Sequence, residues 1–147
     1  MINGTSQQEG RITVFHLKDD LIPQRTKAFL VKMEELMSEG RFYIVLDLAS
    51  VQEISLMGMV AISSIFNKCR QAGGALKIAT LNPLVRRAFR QTNLINTVEV
   101  FEEVLDAVKS YRSQNLLKSK QFSGSFFLKD QNSFVGWDRI PSQGPLN

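Results

Sequence analysis

The residues best suited to chemistry are few and stand far apart in this sequence. The chain has one cysteine, Cys69, and one histidine, His16, so a thiolate activated by an imidazole would have to bring these two together. Cys69 falls in a helical pattern beside apolar residues, and His16 falls in an alternating strand pattern. We interpret Cys69 as a buried, inert thiol and His16 as a half-buried or edge-strand side chain.

Other catalytic and cofactor signatures are weak. Asp47 and Glu53 stand close together at a predicted strand end, but two acids without a partner do not define an acid–base pair. Ser63 and Ser64 lie inside a predicted helix with no histidine nearby, so no nucleophile elbow is indicated. Glycines 73–74 end a helix and do not form a phosphate-binding loop. We therefore predict no catalytic residue, no metal and no cofactor, and we predict that the protein is not an enzyme.

Composition and charge limit the class of partner. The 147 residues fit one domain with a tail, and a hydrophobic fraction of 44% permits a core. Residues 1–115 hold fourteen Lys and Arg against twelve Asp and Glu, and residues 116–147 hold four against two. This net charge of +4 is spread along the chain, so we expect no nucleic-acid partner. Residues 1–10 are polar and no apolar run could span a membrane, so we expect a cytoplasmic protein.

Apolar periodicity predicts alternating strands and helices. The predicted strands cover residues 11–17, 42–48, 76–81 and 97–100. The first predicted helix begins at Pro23 and ends near Gly40. The other predicted helices cover residues 58–70, 84–92 and 101–111, and Asn82 is the predicted N-cap before the helix at 84–92. In the last helix, we expect Phe101, Val104, Leu105 and Val108 to face the core. The alternating order predicts an α/β fold with a mostly parallel sheet of four or five strands and about four helices.

An ordered set of motifs within residues 10–108 resembles the STAS family, which includes anti-sigma factor antagonists. Residues 51–60, VQEISLMGMV, are similar to the family's V-x-x-I-D-S-S-G-L-G loop, which opens a helix. Residues 73–78, GGALKI, and the run from Asn82 to Phe89 are similar to its G-G-x-L-x-I and P-x-V-R-x-x-F segments. The resemblance implies a STAS-type, mostly parallel mixed sheet.

The resemblance also implies a function. Members of the family bind an anti-sigma factor or switch-protein kinase, which phosphorylates the serine after the loop aspartate and thereby ends the complex. Here Ser55 occupies the aspartate position, Leu56 the phosphoserine position and Met57 the next hydroxyl position. The family's first loop, G-E-L-D, becomes DDLI at residues 19–22. The resemblance therefore implies a bacterial transcription regulator in which phosphorylation cannot occur at the usual position.

The predicted partner-binding residues lie in these two loops. In one interpretation, which we prefer, Leu56, Met57 and Met59 form an exposed docking patch. In the other, they fold into the core, and Met59 shares a stripe with Ile62 and Phe66. The predicted binding residues are Asp20, Ile22, Ser55, Leu56, Met57, Gly58 and Met59. Ser55 is either a displaced phosphorylation site or a capping or solvated serine, and we prefer the latter.

Two further regions leave alternatives open. Arg86, Arg87 and Arg90 form either a solvated helix face or a rim contact with an acidic partner. We place a STAS-like domain at residues 1–115 and a flexible or partner-docking tail at residues 116–147, where residues 126–128 and 133–135 could form a hairpin or a linear motif.

Besides the regulatory module, the sequence permits a STAS-type scaffold subunit of a sensory or transport assembly. It also permits a small-ligand or nucleotide binder between the loops at 19–22 and 50–58.

Overall fold

The computed structural model describes the backbone of residues 2–123 and the side chains of residues 2–113. The predicted hairpin or motif at residues 126–128 and 133–135 lies outside the described residues. The strands are β1 (Gly4–Glu9), β2 (Ile12–Leu17), β3 (Tyr43–Asp47), β4 (Ala75–Ala79) and β5 (Glu99–Phe101). The helices are α1 (Pro23–Ser38), α2 (Leu56–Gln71), α3 (Pro83–Gln91) and α4 (Val104–Ser123), with a short 3-10 turn at Leu94–Asn96.

The five strands form one sheet in the order β1-β2-β3-β4-β5. β1 runs antiparallel to β2, and every other neighbouring pair is parallel. The predicted mostly parallel mixed sheet with about four helices is therefore confirmed. Within the described part of the chain, no helix combines the length and apolar character needed to cross a membrane.

Chain contacts divide the protein into a compact unit, Met1–Tyr111, and a second unit, Arg112–Asn147. Helix α4 continues through residue 115, where we placed the domain boundary, and ends at Ser123. The division into a domain and a functional tail stays a prediction.

The first strand, β1, was missed by the sequence analysis. Its residues, GTSQQE, include no large apolar side chain, so no alternating pattern marks it as a strand. The strand forms because a two-residue turn folds it back onto β2, and Gly10 supplies the positive φ of 65° at that turn. β1 is therefore held by backbone pairing more than by burial of its side chains.

The sheet is covered on both faces. On one face, Phe15, Ile44 and Leu46 join the main core, to which α1 and α2 contribute Phe29 and Ile62. On the other face, strand residues Ile12, Val14, Val45 and Ala79 pack against Ala107, Val108 and Tyr111 of α4. This two-sided burial explains the near-continuous apolar run of β3, which is typical of parallel strands.

The inward face of α4 differs from the prediction. Leu105, which we expected to face the core, is 55% exposed, and Phe101 belongs to β5. The side chains that contact the sheet are Val104, Ala107, Val108 and Tyr111. The helix begins three residues later than predicted, so Phe101 is not part of it. At about 100° per residue, Leu105 lies outside the stripe that these four residues form.

A lysine lies inside the face covered by α4. Lys77 is 1% exposed, and its Nζ lies 3.0 Å from Glu99 Oε1 and 4.3 Å from the centre of the Tyr111 ring. It also donates to Ser110 Oγ on α4. Burial lowers the pKa of the Lys77 ammonium, and the neighbouring Glu99 carboxylate opposes that shift. Lys77 therefore links β4, β5 and α4 at the cost of desolvating a charge.

We expect Lys77→Met to leave the free energy of unfolding at neutral pH unchanged or higher, because methionine fills a similar volume without a buried charge. The folded-state pKa of Lys77 is below its unfolded value, so the wild type should recover stability as the pH rises from that lowered pKa towards the unfolded value of 10.5. The difference between variant and wild type should therefore shrink in that range, as measured by urea unfolding at several pH values.

Glu99→Gln is the matched control for the lysine. It keeps the buried ammonium and removes the carboxylate that faces it, so it should destabilise the fold at neutral pH. A Lys77→Met variant that is less stable than Glu99→Gln would contradict a net cost for the buried charge.

Candidate functional site

The first turn of α2 is built around Ser55. The helix begins at Leu56, two residues before the predicted start at Gly58, and Ser55 is its N-cap. Ser55 Oγ accepts a hydrogen bond from the Gly58 backbone N–H (3.1 Å) and donates one to the Leu21 carbonyl oxygen (3.1 Å). The capping interpretation of Ser55 is thus confirmed, and both polar functions of its hydroxyl are engaged.

The two loops predicted to bind a partner are joined by backbone hydrogen bonds. The Leu21 N–H donates to the Glu53 carbonyl (2.9 Å), and the Ser55 N–H donates to the Leu21 carbonyl (3.0 Å). Asp20 adds to this junction, because its Oδ1 accepts from the backbone N–H groups of Gln52 (2.8 Å) and Glu53 (3.3 Å). The structure therefore brings Asp20 and Ser55 into one site, with Ile22 half-buried at the start of α1.

Gly58 and Met59 lie beneath the surface of this site. A Cβ atom at Gly58 would approach the Leu21 carbonyl oxygen to 2.8 Å and Ile54 Cγ2 to 3.1 Å, so the position requires glycine. Met59 is buried in the core, which corrects the expectation that it belongs to an exposed patch. Both residues position the helix and are not exposed to a partner.

Three large apolar side chains project from the first two turns of α2. Leu56, Met57 and Val60 are 71%, 56% and 63% exposed. At about 100° per residue, they share one side of the helix, and we call these three residues the apolar ridge. Val60 was missed as a surface residue, although its spacing of four from Leu56 places it on the same face. Contiguous exposed apolar surface of this kind marks interaction sites.

Helix α3 begins beside the loop that leads to the apolar ridge. Asn82 caps α3 as predicted, since its Oδ1 accepts from the Val85 N–H (2.9 Å), and its Nδ2 donates to the Val51 carbonyl (2.6 Å). Arg87 and Arg90 are exposed on this helix and Arg86 is half-buried. The solvated face and the rim contact both stay predictions for these arginines.

A separate polar cluster connects the carboxyl ends of three strands. Asp47 Oδ2 lies 2.6 Å from His16 Nδ1, and Asp47 Oδ1 accepts from the Ala49 N–H (3.0 Å) and from the Thr80 hydroxyl. Burial raises the pKa of the Asp47 carboxyl, but hydrogen bonds from Thr80, His16 and Ala49 outweigh it and hold the pKa below the usual value. Sequence reasoning grouped Asp47 with Glu53 and missed its pairing with His16.

This cluster and Cys69 offer no reactive arrangement in the described part of the chain. Thr80 has a left-handed backbone with φ of 62°, which is unusual for a β-branched residue, and its hydroxyl is bound to Asp47. Among residues 2–123, no group of three or more His, Cys, Asp and Glu side chains could hold a metal ion. Cys69 is fully buried, and burial raises the pKa of its thiol to about 11, which confirms the inert interpretation.

We expect Ser55→Ala to lower the free energy of unfolding by about 1 kcal/mol, because the variant loses the N-cap of α2 and the bond to Leu21. Ser55→Thr keeps a hydroxyl and should lose less. Urea unfolding of both variants measures the difference. Equal stability of the wild type and Ser55→Ala would show that the cap contributes nothing.

Asp47 should make stability depend on acid pH. Its folded-state pKa is below the unfolded value of 3.8, so its contribution is present above that value and is lost as the pH falls through the lower, folded-state pKa. Asp47→Asn should be less stable than the wild type at neutral pH, and this difference should shrink in acid. Thermal unfolding between about pH 7 and pH 2 provides the measurement. A pH-independent difference would contradict the role of the ionised carboxylate.

Comparisons with known proteins identify the family. The family model described as the STAS domain matches residues 5–107, which is more than half of the chain. None of the curated protein sequences compared with the chain matches it.

Solved structures share the fold at low sequence identity. A Thermotoga maritima protein assigned as an anti-sigma factor antagonist is 20% identical, with a TM-score of 0.71 over 74% of this chain and 94% of that one. An anti-sigma factor antagonist of Mycobacterium paratuberculosis is 17% identical, with a TM-score of 0.69 over 76% and 95%.

A transporter domain is also similar. The murine anion transporter Solute Carrier 26 family member A9 is 15% identical, with a TM-score of 0.67 over 77% of this chain and 22% of the transporter. The structural likeness shows the fold, and the match over residues 5–107 shows that this chain belongs to the STAS domain family.

Proposed function

We propose that this protein is a regulatory docking module that binds an anti-sigma factor or a switch-protein kinase through the apolar ridge. The observation that carries the proposal is the exposure of Leu56, Met57 and Val60, each more than half accessible on one side of α2. Neighbouring apolar side chains that stay exposed in a folded domain mark a surface that a partner covers. The proposal assigns them to the centre of a protein interface, where apolar anchors contribute most of the affinity.

The position of the ridge supports this assignment. Leu56 stands where the family resemblance places the phosphorylated serine, at the start of α2. Leucine adds apolar area there, and burying such area on binding contributes roughly 25 cal/mol per Å² before the costs of association. The junction of the two loops brings Asp20 and Ile22 near the same helix start. Asp20 would form part of the polar rim there, and Ile22 would add an apolar contact.

The chemistry of the site also supports docking without a phosphoswitch. Leu56 and Met57 have no hydroxyl that could accept a phosphate. The Ser55 hydroxyl is half-buried and holds hydrogen bonds to Gly58 and Leu21, so phosphorylation there would have to break the helix cap first. We therefore propose that phosphorylation of this loop does not release the partner, and that the strength of the contacts alone sets how long the complex lasts.

The test uses the full chain as bait in native cell extract, followed by titration calorimetry with the purified partner identified by mass spectrometry. We expect an anti-sigma factor or switch kinase, and we expect Leu56→Glu to weaken its binding at least about tenfold, because a carboxylate would be desolvated in the interface. Leu105→Glu is the matched control, since Leu105 is similarly exposed but lies on α4. It should leave affinity unchanged.

Two outcomes would contradict the proposal. Capture of transporter or sensor subunits that is unaffected by Leu56→Glu would favour the scaffold function. Phosphorylation of Ser55 by the captured kinase, with release of the complex, would show that a phosphoswitch persists at a shifted position.

A further inference from the structure

Within residues 2–123, the outer edge of the sheet carries unpaired backbone groups at defined positions. The Lys18 N–H donates to the Asn3 carbonyl (2.9 Å), so these opposite residues form a hydrogen-bonded pair. In an antiparallel ladder, bonded and non-bonded pairs alternate. With the observed register, Thr5, Gln7 and Glu9 are bonded to β2. The N–H and C=O groups of Gly4, Ser6 and Gln8 therefore point away from the sheet.

In the described part of the chain, β1 lacks two features that often block strand addition, proline and lysine. β1 is the outermost strand, and its six residues contain no proline and no lysine. Its single charged residue, Glu9, is at the end next to the turn. The opposite edge strand, β5, has only three residues. β1 is therefore the longer edge, with room for a partner strand of about six residues.

A trough lies beside the Gly4 end of this edge, on the side of α1. It has a volume of about 630 Å³, and its lining includes Ile2, Gly4, Ala28 and Val31. The even-numbered residues of β1 face this side, because Gly4 and Ser6 lie opposite Leu17 and Phe15 of the main core. Gly4 adds no side chain to the trough, and the Phe15 ring lies where a Cβ atom at Gly4 would be. Its volume falls within the range of about 300–1,000 Å³ that is typical of ligand sites.

The trough wall formed by α1 carries positive charge. Lys27, Lys32 and Glu35 all line the trough, so the two lysines outnumber the one acid. Lys32 Nζ lies 3.9 Å from Glu35 Oε1, whereas Lys27 forms no ion pair among residues 2–113. An unpaired ammonium beside an apolar trough favours an occupant with a carboxylate next to apolar side chains.

We propose that β1 binds an extended peptide segment of a partner protein as a sixth strand. The peptide backbone would pair with Gly4, Ser6 and Gln8, as in β-augmentation. Its apolar side chains at alternate positions would fill the trough against Val31, and an acidic residue would face Lys27. This surface is separate from the apolar ridge on α2, so the proposal does not depend on the proposed function.

A second copy of this chain fits the edge less well. Two β1 strands related by a two-fold axis perpendicular to the sheet would place the even-numbered residues of both copies on the same side. The second copy would then offer the trough glycine, serine and glutamine, none of which is a bulky apolar side chain that matches Val31 and Ala28. The proposal therefore commits to a partner segment with bulky apolar residues.

The experiment screens the full chain against a phage-displayed library of random octapeptides. We expect enrichment of sequences with apolar residues at alternate positions and one Asp or Glu. The most enriched peptide, made synthetically, should slow amide hydrogen exchange at Gly4, Ser6 and Gln8 at least about tenfold. The amides of Thr5 and Gln7 already bond to β2 and should change little.

Variants at the edge separate strand addition from other binding. Ser6→Pro removes an N–H that points away from β2, so the domain should stay folded while peptide affinity falls at least about tenfold. Ser6→Thr keeps that N–H and should retain affinity, and Leu56→Glu should leave peptide binding unchanged.

Three results would overturn the proposal. They are a library without enrichment, peptide binding that is insensitive to Ser6→Pro in a folded variant, and a concentration-dependent dimer that Ser6→Pro abolishes. The last result would assign the edge to a second copy of the chain.

Discussion

The arrangement of the site depends on the backbone of one buried residue, Leu21. Its N–H and C=O groups bond to Glu53 and Ser55, so the loop before α1 and the loop before α2 are held together over more than thirty residues of sequence. The same carbonyl also accepts the Ser55 hydroxyl, and it lies so close to α2 that only glycine fits at position 58. The start of α2, and with it the direction of Leu56 and Met57, follows from this junction.

At this junction, polar residues that hold the loops together lie next to the apolar ridge. Asp20, Ser55 and Asn82 satisfy backbone groups of neighbouring loops, so their polar atoms serve the fold. The apolar ridge stands above them on a helix that is fixed at its first turn. A rigidly held apolar surface loses little conformational entropy when a partner covers it, which is the condition under which a small surface binds well.

The parts of the fold that local sequence determines were predicted correctly. The start of α1 at Pro23, the cap of α3 at Asn82 and the buried run of β3 each follow from neighbouring residues. The apolar pattern predicted a helix from Gly58 and so left Leu56 and Met57 in the loop before it, whereas both residues belong to the first turn of α2. The capping serine was the signal that the helix starts at once after position 55.

The features that were missed depend on contacts distant in sequence. β1 has no apolar pattern and exists through its pairing with β2. The burial of Lys77 and the pairing of His16 with Asp47 depend on elements more than thirty residues away. The exposure of Leu105 depends on which side of α4 packs against the sheet. Apolar periodicity alone cannot predict these long-range contacts, because it describes only residues that are close along the chain.

The late position of α4 has a consequence for synthesis of the protein on the ribosome. Strands β2, β3 and β4 are complete at Ala79, but the residue that closes over them, Tyr111, is made thirty-two positions later. At about 5–20 residues per second, one apolar face of the nascent sheet is uncovered for roughly two to six seconds. During that interval the Lys77 ammonium is hydrated in the middle of this face, where a charge hinders aggregation of apolar strands. The lysine whose burial costs free energy in the finished fold is thus the charged position on this face before α4 is made.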